Sequence, residues 1–309
     1  MNEERYLSLG GIQQWISIRG ISEQKPILIF LHGGPGISLN ALFEYYNSEL
    51  ENNFLVVNWD QRGAGKSFSK FIPPESMKVD TFVSDLKELV EYLKKRFGKE
   101  KVCILGESWG SLLGIKYAQK YPEDVFAFIG TGQVSNMKES ERLGYEFVLS
   151  EAKKTGNKKA LRQLKKVSEY PGETIKDVKI TRKWWSKFAL KLYEKPSQLF
   201  LLRNMFRSKQ FSVFDFIRLF RGHKMSLKLL WNEIYETNLF EEVSELNVPV
   251  YFLLGRHDHQ VSSALAEEYF KILKAPKKQI VWFENSGHNP QFEEADLFNK
   301  AIISLLGKS

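Results

Sequence analysis

Short, mostly apolar runs recur along this chain and stop at glycines or polar turns. They read PILIFLH at 26–32, FLVVNW at 54–59, VCIL at 102–105, FAFI at 126–129, PVYFLL at 249–254 and QIVWF at 279–283. Runs this short, without polar alternation, are strands, and the first four read as buried ones. The segments between them follow a helical period. Residues 81–97 put Phe82, Leu86, Leu89, Val90, Leu93 and Phe97 on one face, with Gly98 as the stop. Helices are also expected over 262–273 and 292–306. Strands alternating with helices predict an α/β architecture whose sheet is mostly parallel and covered on both sides. Residues 5–9 and 12–19, turning at Gly10-Gly11, predict an antiparallel pair at the start.

The rhythm is interrupted. From 135 to 240 no run resembles a buried strand, and Lys, Arg and large aromatics dominate. The breaks there are Tyr170-Pro171-Gly172, Lys195-Pro196 and Gly222. Three parts follow: a first core part at 1–134, a helical insertion at 135–240, and a second core part at 241–309. The total of 309 residues suits one large domain or two modest ones. With 43% hydrophobic and 14% aromatic residues, disorder is excluded as the main state. Cys103 is the single cysteine, so no intrachain disulfide can form, and a cytoplasmic setting fits best. The opening MNEERYLSLGG is acidic early and lacks the apolar centre of a secretory signal. No apolar run approaches the ~20 residues of a spanning helix.

The sharpest chemical signal is Gly106-Glu107-Ser108-Trp109-Gly110, which fits G-x-S-x-G. A strand runs into it and a helix leaves it, as a strained turn presenting a nucleophilic hydroxyl requires. The helix that starts there also points free N–H groups at developing negative charge. A serine hydroxyl needs a base, and the base needs an orienting carboxylate. Asp258 follows the strand at 249–254 and His288 follows the strand at 279–283. Both therefore sit at strand C-termini, where open α/β sheets build their sites. Ser108 is expected as nucleophile, His288 as general base and acid, and Asp258 as orienter. Alternatives stay open: His257 and His259 could hold a metal with Asp258 or be loop residues, and Glu284 could replace Asp258. His32-Gly33-Gly34-Pro35-Gly36 follows another strand directly and suits an oxyanion loop. One donor is expected from the N–H of Trp109 and the other from that loop, with Gly34 favoured over Gly33. Asp60-Gln61-Arg62-Gly63-Ala64-Gly65-Lys66-Ser67 ends like a phosphate loop, but Asp60 stands where the first glycine is required. It is read as a loop bordering the site, with Arg62 paired to an acid.

Together these motifs resemble the α/β-hydrolase superfamily, and more narrowly its proline iminopeptidase branch of serine peptidases. The chain carries HGGPG at 32–36, DQRG at 60–63, GESWGS at 106–111, GRHD at 255–258 and SGH at 286–288. The resemblance implies an eight-stranded core with a helical cap inserted after the sixth strand, where 135–240 falls. It also implies hydrolysis through an acyl-enzyme, with no metal and no cofactor. The elbow departs from the branch in carrying Glu107 where glycine is frequent. Cap segments resembling W-E-G and E-N-H-Y-F, whose glutamates hold a substrate's free amino terminus in that branch, are absent. Trp231-Asn232-Glu233 is the nearest echo, so Glu233 and Glu236 stand as candidate amine holders.

The formal charge of +8 invites a nucleic-acid or membrane-surface reading. Divided by region, 135–240 carries +12 and the remainder −4. Lys153, Lys154, Lys158, Lys159, Arg162, Lys165 and Lys166 form the densest run. A solvated helix face accounts for it, with contact to an anionic surface as the sharper alternative. The stretch from 184 to 220 mixes Trp, Phe and Leu with Lys and Arg, which suits cap packing against the core. No recognition motif for nucleic acid accompanies the charge. A small-molecule substrate is expected: a peptide for an aminopeptidase, or an ester for a carboxylesterase or lipase-like enzyme. The third candidate is a non-catalytic binding protein of the same fold.

Overall fold

The computed structural model describes residues 1–189, 203–208 and 211–307. Eight strands form one sheet: β1 (Asn2–Leu9), β2 (Ile12–Arg19), β3 (Ile27–Leu31), β4 (Leu55–Trp59), β5 (Val102–Glu107), β6 (Val125–Thr131), β7 (Val250–Gly255) and β8 (Lys278–Phe283). Their spatial order is β1-β2-β4-β3-β5-β6-β7-β8. β2 runs antiparallel to β1 and β4, and the remaining pairs are parallel. The continuous apolar runs have the origin expected of them. Along β3, Ile27, Ile29 and Leu31 join one hydrophobic cluster while Leu28 and Phe30 join the other. Alternate side chains point to opposite faces of a strand, so a sheet with both faces covered needs apolar residues throughout.

Helices cover both faces. On one lie α2 (Val79–Phe97) and α3 (Trp109–Lys120), where Phe82, Leu86, Leu89 and Leu93 are fully buried. On the other, α1 (Asn40–Asn47) and the C-terminal helix Ala295–Leu306 enclose Phe30, Phe43, Phe298 and Ile302. The helix expected over 292–306 divides at Glu294, whose carboxylate accepts hydrogen bonds from Asn285 N and Ser286 Oγ.

Between β6 and β7 the described residues contain no strand. They form α4 (Met137–Lys154), α5 (Lys158–Leu164), α6 (Ile175–Ala189) and α7 (Val213–Glu236). The chain leaves and re-enters the sheet at one point, where Leu239 N donates to Ser135 O at 2.7 Å and Met137 N to Thr237 O at 3.0 Å. Trp184, Trp185 and Phe188 pack with Val148 and Leu164 into a separate small core. The basic run from Lys153 to Lys166 is exposed on the outer side of α4 and α5. Of the expected breaks, Tyr170-Pro171-Gly172 is a turn and Lys195-Pro196 lies outside the described residues. The third is corrected: Gly222 lies well inside the 24-residue α7. Its role is close approach, because a Cβ there would meet Gly63 O at 2.5 Å, and one on Gly36 would meet Gly222 O at 2.7 Å. Among the described residues no helix is long and apolar enough to cross a membrane.

Candidate active site

The parallel strands bring the loops after β3, β4, β5, β7 and β8 to one edge of the sheet, so residues far apart in sequence meet there. Ser108 stands between β5 and α3 with φ 52° and ψ −118°, the one non-glycine residue with positive φ among those described. That conformation is costly for an L-residue and is held by its surroundings. Ser108 N donates to Thr131 O at 2.9 Å, and Ser111 Oγ donates to Ser108 O at 2.6 Å. Both flanking glycines are required by space. A Cβ on Gly106 would overlap Gly110 O, and one on Gly110 would overlap Leu31 O.

His288 and Asp258 meet as the spacing predicts. His288 Nδ1 lies 2.7 Å from Asp258 Oδ2, both side chains being buried. The other carboxylate oxygen, Oδ1, accepts from Gln260 N at 2.8 Å and Val261 N at 3.0 Å, which fixes the acid. Burial pulls the His288 imidazolium down and Arg182 adds to that, but the carboxylates of Asp258 and Glu107 outweigh both, so its proton affinity is raised. Glu284 instead pairs with Arg256 at the surface, and His259 stacks on Phe147 with ring centroids 3.9 Å apart.

The loop after β3 is held from two sides. Gly33 N donates to Glu107 Oε2 at 2.6 Å, which leaves Gly34 as the next N–H in the loop. From the loop after β4, Gln61 donates through Nε2 to His32 O at 2.8 Å and accepts from Trp109 Nε1 at 2.8 Å. Gln61 thereby ties the loop to the first residue of α3. Burial drops His32 to about 4, so it stays neutral and structural. Arg62 is buried and forms a bidentate pair with buried Asp85, both contacts at 2.9 Å. The buried Cys103 thiol is pushed up to about 12 by desolvation, which makes it inert.

Gly34, Ser108, Trp109 and His288 line one cavity of about 360 Å³ between the sheet edge and the helices α4, α6 and α7. Its upper wall is apolar, from Met137, Val178, Leu227, Trp231 and Ile234. Lys179, Arg182 and His223 also line it; Arg182 is paired with buried Glu141. The two glutamates expected to hold an amine are elsewhere. Glu233 accepts from Val79 N at 3.0 Å and so caps α2, whose own N-cap Lys78 offers no acceptor. Glu236 is exposed and pairs with Lys138. Both lie on the side of α7 turned from the cavity. Sequence reasoning missed Glu107, whose carboxyl lines the cavity with Oε1 3.6 Å from His288 Nε2. The available signal was its identity at the second position of the elbow.

This fold and this edge define a class. The sequence profile of the α/β hydrolase fold matches residues 26–295, and the chain belongs to that family. Within it the chain is similar to the aminopeptidase and proline iminopeptidase branch. It is 33% identical over 304 residues to the "Probable aminopeptidase YbaC" of Bacillus subtilis (strain 168), covering 96% of this chain and 93% of that protein. It is 26% identical over 309 residues to a proline iminopeptidase of Saccharolobus solfataricus, covering 97% and 91%. Solved structures share the fold. A Bacillus megaterium epoxide hydrolase superposes with a TM-score of 0.62 at 21% identity, over 98% of this chain and 100% of that one. A lipase described as putative from Acinetobacter baumannii AYE gives 0.68 at 20% identity, over 99% and 91%.

Proposed function

We propose that this hydrolase-family protein is a serine hydrolase that works through an acyl-enzyme, as an aminopeptidase releasing the N-terminal residue of small peptides. The observation that carries the mechanism is that His288, in a buried 2.7 Å contact with Asp258, lines the same cavity as a serine held at positive φ. In this reading His288 Nε2 takes the proton of Ser108 Oγ as the oxygen attacks the scissile carbonyl. Asp258 holds Nδ1–H, fixing the tautomer and stabilising the imidazolium. The oxyanion is received by the backbone N–H groups of Trp109 and Gly34. His288 then protonates the leaving amine, and a water activated by the same imidazole releases the acyl group. The described residues of 135–240 form the cap that roofs the cavity. The peptide specificity is supported by the names of the relatives.

A second reading, an esterase for small acyl esters, is favoured by the apolar upper wall, which suits an acyl chain. Turnover of alanyl and prolyl aryl-amides against aryl-esters separates the two, since amides bearing a free amino group must be cleaved by a peptidase. Ser108→Ala is expected to lower turnover by roughly 10⁴–10⁶-fold, and Asp258→Asn by about 10⁴-fold. A fluorophosphonate probe that leaves Ser108 unlabelled in the wild type would sink catalysis by this residue.

A further inference from the structure

We propose that Glu107 is the carboxylate that receives the substrate's free α-ammonium group, beside the nucleophile. This rests on the aminopeptidase reading and adds the specificity determinant that reading lacks. An α-amino nitrogen is separated from the scissile carbonyl carbon by a single atom, which puts it about 2.5 Å away by standard bond lengths. Its counter-charge must therefore lie next to Ser108 rather than across the cavity. Glu233 and Glu236 fail this requirement, and Asp258 is occupied by His288. Glu107 is the one carboxylate among the described residues that lines the cavity, and it directly precedes the nucleophile.

The geometry suits the role. Oε2 is anchored by Gly33 N–H at 2.6 Å, which fixes the carboxyl plane. Oε1 is 3.6 Å from His288 Nε2, too far for a hydrogen bond, so it can still accept from a donor that approaches from the cavity. The carboxyl is buried and carries a desolvation cost that raises its proton affinity. An entering ammonium supplies the missing counter-charge. The cations in the same cavity do not supply it: Arg182 is matched by Glu141, and Lys179 is exposed at the rim. The cavity is thus acidic at its floor and basic at its rim, a polarity that places an ammonium at the floor.

The test compares kcat/KM for alanyl aryl-amide with that for propionyl aryl-amide, which differs only in lacking the amino group. In the wild type the free-amine substrate is preferred. In Glu107→Gln the amide oxygen still accepts from Gly33 N–H but carries no charge, and the preference is expected to fall by about tenfold to a hundredfold. If Glu107→Gln lowers both substrates alike, Glu107 only positions the loop and the proposal is overturned. If the wild type shows no preference for the amine, the aminopeptidase reading itself has failed, which is a separate result. Should Glu107→Gln not fold, Glu107→Asp carries the test. There the carboxylate is withdrawn by one methylene, so the preference falls while Ser108 still reacts with a fluorophosphonate; a wild-type ratio in that variant overturns the proposal.

Discussion

Single side chains decide the chemistry here, and their electrostatics can be read with a sign. In the proposed mechanism His288 must be neutral to accept the serine proton, and its proton affinity lies above the ordinary 6.5. Activity should therefore fall as pH drops through a value above 6.5, and Glu107→Gln should move that acid limb to lower pH by removing one of the charges that favour imidazolium. A pH profile of kcat/KM on a substrate without an amino group measures both. Arg62 is a stability residue: Arg62→Ala leaves Asp85 buried without its bidentate partner and should cost about 3–5 kcal/mol, read as a lower urea midpoint. Ser108, Asp258 and His288 were legible because each lies just past a strand of unmistakable pattern. Glu233 and Glu236 were misplaced because sequence does not set the rotation of a helix about its own axis. At about 100° per residue, Glu233 lies about 130° and Glu236 about 170° around α7 from the face of Leu227, Trp231 and Ile234.

At the level of elements, glycine deceives. Gly222 reads as a helix breaker, yet α7 passes through it without interruption because the helix must lie almost against the loops carrying Gly36 and Gly63. Replacing an interior helical glycine with alanine ordinarily gains about 1 kcal/mol. Gly222→Ala should instead destabilise by about 1–3 kcal/mol, because its Cβ would press on the Gly63 carbonyl. Thermal unfolding of the variant checks the sign. The six apolar runs all form strands, although the last, β8, is an edge strand with Gln279 exposed and Ile280, Val281 and Trp282 only half-buried. Helix α1 escaped the reading because its eight residues bury only Asn40, Leu42, Phe43 and Asn47, too little for a periodic signal.

For the molecule as a whole, the +8 divides into a basic insertion and a mildly acidic core. The Lys153–Lys166 run is exposed and none of it lines the cavity. Replacing Lys153, Lys154, Lys158 and Lys159 with glutamine should leave kcat/KM for an uncharged ester unchanged, while reducing retention on a cation-exchange column. The solvated helix face read from the sequence is where this charge lies, because lysines in so dense a run have no apolar partner to bury against. The closeness of α7 to the glycine loops has a mechanical consequence. α7 is in hard contact with Gly36, in the loop proposed to supply an oxyanion donor, so bulk that pushes the helix outward also shifts that loop. A misplacement of about 1 Å at such a site can cost a hundredfold in rate. Oversized substrates should therefore bind acceptably and turn over badly, so that selection by size is recorded in kcat more than in KM.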